Sequence, residues 1–225
     1  MKKVTLKDLK VENSYLEFDN KFYDHSTITP LNHPMIASKN KLLFDEIGID
    51  YDNTSNEDVI DILNGVELLN GSLPYAMVYA GHQFGFFVPQ LGDGRAINIG
   101  SYGKHHFALK GSGITKYSRH GDGKAVLRSS IREYLMSEHL HALGIETTRA
   151  LAIISSNHRV YRDMKHEKGS IVLRVSPSWI RFGTFEYYYR NGTKQELEQL
   201  ANYVCEQNYT ELANLPRDIK YEKLF

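Results

Sequence analysis

Four stretches of the chain carry apolar residues at the three- and four-residue spacing of an amphipathic helix. They are residues 34–47, the segment from Ser55 to Gly65, residues 126–143 and the tail from Thr193 onward. Glycines follow the first three stretches, and Ser55 is a good cap for the second. The third is the longest, and its predicted apolar face comprises Leu127, Ile131, Tyr134 and Leu135.

Runs typical of β-strands alternate with these helices. Ala96–Ser101 and His106–Leu109 flank Tyr102-Gly103-Lys104, which is a hairpin signature. A second hairpin is predicted around Lys165–Gly169, between Arg159–Arg162 and Ser170–Val175.

Residues 74–88 are rich in aromatic residues and glycine, and we expect a buried irregular segment there. Ala150–Ile154 adds another strand-like run. The order is then a helical lead, a hairpin, a long helix, further strands and terminal helices. This order favours an α+β fold with an antiparallel sheet and flanking helices.

Composition narrows the class of protein. The chain has 225 residues, 41% of them apolar, and its 27 basic and 27 acidic side chains give zero net charge. A nucleic-acid partner is disfavoured because such proteins usually carry a basic excess. Cys205 is the single cysteine, so neither an internal disulfide nor a cysteine zinc cluster is expected. Charged residues near the N-terminus and the lack of a long apolar run predict a cytoplasmic protein without a membrane partner.

Three glycine pairs lie within about thirty residues, each beside a cationic side chain. They are Gly92-Asp93-Gly94-Arg95, Lys110-Gly111-Ser112-Gly113 and Gly121-Asp122-Gly123-Lys124. Glycine lets backbone N–H groups approach a ligand closely, and the last pair runs into a predicted helix whose free N–H groups favour an anion. A single pair is most often an ordinary turn, but three with cations predict a nucleotide site.

Charged residues near these turns are candidates for binding phosphate. Lys110 ends an apolar strand, where it either reaches water or binds phosphate with the support of a helix carboxylate. Glu133 and Glu138 both fit that supporting role, and spacing does not separate them. Arg174 and Arg181 are either phosphate-binding forks or ordinary surface residues.

Asp122, in the loop ahead of the long helix, has three possible roles. Its carboxylate suits a sugar hydroxyl, a water-bridged metal or a helix cap, of which the cap is the plainest.

The chain resembles the SelO (selenoprotein O, YdiU) family from about Tyr15 onward, and most specifically between Tyr79 and Arg149. The segments that carry the resemblance are Tyr79–Gly85, Leu91–Ala96, Leu109–Gly113 and Tyr117–Glu133. The resemblance implies a protein-kinase-like fold that binds ATP in a flipped orientation. It also implies Mg²⁺-dependent transfer of AMP to Ser, Thr or Tyr hydroxyls of proteins.

The resemblance also assigns roles to residues of this chain. It implies that Gly92, Gly94 and Arg95 form the nucleotide loop and that Lys110 is the phosphate-binding lysine with Glu133 as its partner. Asp122 and Gly123 would line the nucleotide pocket, and Arg174 and Arg181 would neutralise phosphates. The chain would be one nucleotide-binding region, with an N-terminal extension to about residue 90, a kinase-like sheet and helix to about 180, and then the start of a helical lobe.

Some positions depart from the family pattern. Ser112, Ile114, Lys116 and Lys124 stand where Ala, Pro, Pro and Arg are expected. Family members are expected to be about twice as long, with the catalytic aspartate and the metal ligands in the second half. We therefore expect neither catalytic nor metal-binding residues before Phe225, and a largely absent catalytic lobe.

These expectations lead to one function and two alternatives. The chain is expected to be the ATP-binding part of a protein adenylyltransferase, which alone transfers little AMP. The alternatives are a non-catalytic nucleotide-binding or interaction module and, less favoured, a conventional kinase-type phosphotransferase.

Overall fold

The computed structural model describes residues 3–224, which form a mixed α+β structure built on an antiparallel sheet. Its strands are β1 (Tyr23–His25), β2 (Met35–Lys39), β3 (Tyr75–Met77), β4 (Gly81–Gln83), β5 (Phe86–Val88), β6 (Ala96–Tyr102), β7 (His105–Lys110), β8 (Ala125–Val126), β9 (Arg149–Arg162) and β10 (Lys165–Ser176). Across the eight-stranded main sheet the order is β1-β3-β6-β7-β10-β9-β2, and β8 pairs with β10. Strands β4 and β5 form a separate hairpin.

The helices lie around this sheet and after it. They are α1 (Lys41–Ile47), α2 (Asn56–Asn64), α3 (Leu127–Ala142), α4 (Phe182–Asn191), α5 (Lys194–Asn208), α6 (Thr210–Ala213) and α7 (Arg217–Leu224), with two short 3₁₀ turns at Ser14–Glu17 and Asn20–Phe22. None of the helices within residues 3–224 has the length and apolar character needed to cross a membrane.

The two faces of the sheet are buried by different elements. Helices α1 and α2 cover one face, where Ile97, Leu109 and Leu173 join their apolar residues in the largest core cluster. Helix α3 covers the other face, where Ile153 and Val172 pack against its partly buried residues. Successive strand residues point to opposite faces, so the central strands are apolar on both sides.

A second, aromatic core joins the N-terminal segment to the C-terminal helices. Phe22 stacks on Tyr188 of α4, with ring centroids 3.4 Å apart, and Leu200 of α5 lies in the same cluster. This core anchors α4 beside β3. It thereby fixes the start of α4, which contributes Arg181 to the site described below.

Several sequence predictions are confirmed. The hairpin of β6 and β7 has its turn at Gly103, and the helix between Ser55 and Gly65 is α2, with the Ser55 hydroxyl accepting from Asp58 N at 3.0 Å. The long helix and the helical tail are α3 and α5.

Strands from the first 90 residues pair into the same sheet as β6 and β7. The division into three regions stays a prediction.

The prediction of one helix over residues 34–47 was wrong in its first half. Residues Met35–Lys39 form β2 and pair with β9, and Asn40 then caps α1 by accepting from Leu43 N at 3.2 Å. Pairing to a distant strand decides the conformation of β2. That pairing is not visible in local spacing.

Three further expectations need correction. Ile131 and Leu135 are 41% and 60% exposed, so of the predicted apolar face of α3 only Leu127 and Tyr134 pack against the core, where they are partly buried. The buried residues of this helix are Ser130 and Ser137. The second hairpin turns at Asp163–Met164, both with positive φ, while Lys165–Gly169 are strand residues. Residues 74–88 are mostly short strands, and Phe84 at the tip of the β4–β5 hairpin is 92% exposed.

Candidate nucleotide-binding site

A cavity of about 400 Å³ opens between the β6–β7 hairpin, the loop before β8 and the start of α4. Eight of the nine residues proposed from the sequence line it: Gly92, Gly94, Arg95, Lys110, Asp122, Gly123, Arg174 and Arg181. The ninth, Glu133, contacts two of these residues from helix α3. The structure therefore brings the sequence candidates together at one place.

Positive charge dominates the cavity wall. Among the described residues, its cationic side chains are Arg95, Lys110, Arg119, Arg162, Arg174 and Arg181. Its lining carboxylates are Asp93 and Asp122. With Glu133 added, six positive groups face three negative ones, so the cavity attracts an anionic ligand.

Lys110 and Arg174 share one carboxylate. Lys110, at the end of β7, donates to Glu133 Oε2, and the Arg174 guanidinium lies 2.6 Å from Glu133 Oε1 through Nε. Burial lowers the pKa of Lys110, and the Glu133 carboxylate acts against that shift. Burial also lowers the pKa of Arg174, again with Glu133 opposing. One glutamate on α3 thus holds two cations against the cavity.

Glu138 has a different partner. It accepts three hydrogen bonds from Arg149, at 2.8 to 3.2 Å, and one from Ala150 N at 3.1 Å. Arg149 also donates to Glu46 at 2.8 Å. Neither Glu138 nor Arg149 lines the cavity. The choice that spacing left open is therefore settled in favour of Glu133 as the partner of Lys110.

Arg181 approaches the cavity from the residue before α4. Its guanidinium lies 4.0 Å from the ring centroid of Tyr79, and Nη2 is 3.7 Å from Asp93 Oδ1. Burial raises the pKa of Tyr79 to about 12, with a further contribution from Asp93, so this ring is a neutral platform at physiological pH. A guanidinium on an aromatic face keeps its edge donors available.

The glycines of the site act mainly by allowing close packing. Of the six glycines in the three pairs, five donate their N–H to a protein carbonyl: Gly92, Gly94, Gly111, Gly113 and Gly121. The expectation that these donors face a ligand is therefore wrong for those five. Gly92 has φ +64°, and a Cβ there would overlap the Tyr117 ring. A Cβ on Gly123 would likewise overlap the Gly113 carbonyl. The turns can stack on one another only without side chains.

Asp122 is held by an arginine from the long hairpin. Its Oδ2 accepts from Arg162 Nη1 at 2.9 Å, its Oδ1 accepts from Arg162 Nη2, and Lys124 N donates to Oδ1 at 3.0 Å. Although burial acts against it, pairing with Arg162 lowers the pKa of Asp122 on balance. The first residue of α3 is preceded by Val126, not by Asp122. Asp122 therefore does not cap α3, which was the plainest of its three predicted roles.

The third glycine pair differs from its sequence interpretation in two further ways. The Lys124 ammonium points away from the cavity and donates to Thr29 O at 2.6 Å. Strand β8 also separates Lys124 from α3, and the N-terminal residues of α3 do not line the cavity. Neither the Lys124 side chain nor the start of this helix therefore forms part of the cavity wall.

Sequence reasoning missed several cavity residues, although the motifs contained most of them. Arg119 has φ +54° and donates to Gln83 Oε1 at 3.0 Å across the cavity mouth. Asp93 lies between two selected glycines, so its place in that motif was a usable signal. Arg162 and Trp179 come from distant strand and loop positions, and no local pattern indicates them.

The described side chains contain no cluster of metal ligands. Across residues 3–224, no three His, Cys, Asp or Glu side chains lie where they could share a cation. The two carboxylates of the cavity, Asp93 and Asp122, are each paired with an arginine. The expected use of Mg²⁺ stays a prediction.

Comparisons with known proteins identify the family. The family described as protein adenylyltransferase SelO matches residues 5–225. The chain is 44% identical over 213 residues to a protein nucleotidyltransferase YdiU from Thioalkalivibrio sulfidiphilus, and 42% identical over 216 residues to one from Thiobacillus denitrificans. A Yersinia pseudotuberculosis protein of the same name is 45% identical over 205 residues. The chain belongs to the SelO family.

The match covers unequal shares of the two sequences. It includes 92% and 94% of this chain for the Thioalkalivibrio and Thiobacillus proteins, but 43% and 44% of those proteins. The chain thus spans less than half the length of these relatives.

Proposed function

We propose that this chain binds the polyphosphate of ATP in the cavity and provides the nucleotide-binding part of a protein adenylyltransferase. The observation that carries the proposal is the convergence of Arg95, Lys110, Arg174 and Arg181 on one cavity, with Glu133 holding two of them. Membership of the SelO family supports nucleotidyl transfer as the reaction class. The Lys110–Glu133 pair between a strand and a helix supports a kinase-like lobe.

The cavity suits a nucleotide in size and charge. About 400 Å³ lies within the range of small-molecule sites, roughly 300 to 1,000 Å³. Its cations are tied to few carboxylates, so several donors remain for phosphate oxygens. Guanidinium forks match phosphate geometry, and the Lys110 ammonium adds a point charge.

In the proposed reaction, a protein hydroxyl oxygen attacks the α-phosphorus of ATP. The bond from that phosphorus to the oxygen it shares with the β-phosphorus breaks, pyrophosphate leaves with that oxygen, and the hydroxyl proton passes to solvent. Negative charge grows on the transferring and leaving groups, and preplaced cations stabilise it most when they need not move. Lys110, Arg174 and Arg181 meet that requirement, because Glu133 holds the first two and Tyr79 with Asp93 contacts the third.

Lys110→Ala tests the binding site. We expect it to weaken ATP binding by about thirtyfold, near 2 kcal/mol, because one charge-assisted contact to phosphate is lost. Adenosine, which lacks phosphate, serves as the comparison ligand. Isothermal titration calorimetry on the 225-residue chain measures both affinities.

Lys104→Ala is the matched control, because Lys104 is exposed at the turn of the same hairpin and lies outside the cavity. Its ATP affinity should equal that of the unmodified chain. Equal ATP affinity in the Lys110→Ala and Lys104→Ala variants would contradict the proposed site.

The reaction class is tested in a full-length member of the family. The protein is incubated with ATP labelled either on the α-phosphate or on the γ-phosphate. Adenylyl transfer leaves the α-label on the protein substrate, whereas kinase-type transfer leaves the γ-label. Retention of the γ-label alone would overturn the adenylyltransferase proposal while leaving ATP binding intact.

A further inference from the structure

Asp93 is a buried carboxylate in the middle of the first glycine turn. The residue is 5% exposed, and Gly92 and Gly94 flank it. Its backbone N–H donates to Met77 O at 2.9 Å, and its carbonyl accepts from Thr115 Oγ1 at 2.7 Å. The backbone of Asp93 is therefore fixed by β3 on one side and by the Thr115 loop on the other.

The two carboxylate oxygens of Asp93 have different partners. Oδ2 accepts from Met77 N at 3.1 Å and from Asn98 Nδ2 at 3.2 Å, both of them neutral donors. Oδ1 lies 3.7 Å from Arg181 Nη2. One oxygen thus anchors the carboxylate to the sheet, while the other faces the cavity arginine.

Burial alone would disfavour this charge. Burial raises the pKa of Asp93, and the guanidinium of Arg181 acts against that shift. A carboxylate with little access to water is tolerated when a cation lies beside it. Arg181 is partly exposed, so Asp93 is the more firmly placed member of the pair.

We infer that Asp93 is a positioning residue that holds the Arg181 guanidinium between the Tyr79 ring and the cavity, ready for a nucleotide's phosphates. The inference rests on the proposed function, since it gives Asp93 a role in that same site. Asp93 itself does not contact phosphate. It acts through Arg181, whose orientation it determines together with Tyr79.

Asp93→Asn separates positioning from charge. The amide oxygen can still accept from Met77 N and Asn98 Nδ2, but an NH₂ group replaces the oxygen that faces Arg181. Removing a negative charge beside the cavity would by itself strengthen anion binding. Losing the position of Arg181 would weaken it. The sign of the change therefore tells the two effects apart.

The experiment measures tripolyphosphate, ATP and adenosine binding to the 225-residue chain by calorimetry. We expect Asp93→Asn and Arg181→Gln each to weaken tripolyphosphate binding about tenfold, as for one charge-assisted hydrogen bond, and to leave adenosine binding unchanged. The double variant should bind no more weakly than Arg181→Gln alone, because Asp93 acts through Arg181. Asp52→Asn removes the same charge at an exposed site outside the cavity, and should have no effect.

Stronger or unchanged tripolyphosphate binding in Asp93→Asn would overturn the inference, as would an equal loss in the Arg181→Gln background. If the unmodified chain bound neither tripolyphosphate nor ATP, the proposed function would fail together with the inference. Tripolyphosphate binding that depends on Lys110 but not on Asp93 would contradict the inference and leave the proposed function standing.

A second measurement covers the case in which Asp93→Asn does not fold. The carboxyl ¹³C signal of Asp93 is followed against pH in the unmodified chain and in Arg181→Gln. Because the guanidinium stabilises the carboxylate, its removal should move the titration of Asp93 to higher pH. An identical titration in both proteins would contradict the pairing.

Discussion

Helix α3 carries two glutamates, five residues apart, that pair with different cations. Glu133 pairs with Lys110 and Arg174 at the cavity, whereas Glu138 pairs with Arg149 away from it. The Arg149 side chain is 9% exposed and bonded to two carboxylates. The cations of Glu133 instead share one carboxylate and line the cavity. What separates a binding cation from a structural one is how many of its donors the protein already uses.

Removing the structural carboxylate should have the largest effect. Glu138→Ala leaves the buried Arg149 with Glu46 alone, and we expect it to lower the free energy of unfolding by about 3 kcal/mol. Chemical denaturation measures this change. ATP affinity of the folded variant should stay unchanged, and a parallel loss of affinity would contradict the division between the two glutamates.

Removing the carboxylate at the cavity should change binding and its pH dependence. We expect Glu133→Gln to weaken ATP binding about tenfold, because Lys110 and Arg174 lose their shared anchor. Phosphate binding needs the protonated ammonium, so affinity falls as pH rises through the pKa of Lys110. Glu133 raises that pKa against burial.

The fall in affinity should therefore begin at lower pH in Glu133→Gln than in the unmodified chain. Calorimetry across neutral and alkaline pH measures it, and Glu138→Gln, on the same helix, is the matched control. Coincident pH profiles for the Glu133→Gln variant and the unmodified chain would show that the carboxylate does not act through Lys110.

The smallest effect is expected at Lys124, a cation of the glycine motifs that faces away from the cavity. Lys124→Met keeps the length of the side chain and removes the bond to Thr29 O. We expect a stability change within about 1 kcal/mol, since burial lowers the pKa of Lys124 and already disfavours its charge. ATP affinity should change less than about twofold. A tenfold loss of ATP affinity in Lys124→Met would show that Lys124 does contribute to the binding site.

The sequence indicated which residues line the cavity better than it indicated the fold around them. Lys110 ends β7 and Arg174 lies within β10, and the sequence pattern indicated both strands, whereas Arg181 precedes α4, a helix that the pattern did not indicate. Local spacing did not show that residues 35–39 pair with β9, or that Arg162 reaches Asp122 from a hairpin forty residues away. Both depend on contacts between distant segments, which periodicity does not encode.

The glycines illustrate a subtler limit of sequence reasoning. Their spacing indicated turns beside a ligand, and the cavity lies beside those turns. Which atoms the turns present was not readable, because the N–H of Gly92 and of Gly94 could serve either a ligand or the protein. The structure uses both within the protein, so the cationic side chains are left as the main donors.

The most direct test of the account is a crystal structure of the chain with ATP. The account predicts phosphate oxygens within hydrogen-bonding distance of Lys110 Nζ and of the Arg174 and Arg181 guanidinium groups, with Glu133 still contacting Lys110. Phosphates bound elsewhere, with these three cations turned from the nucleotide, would contradict it.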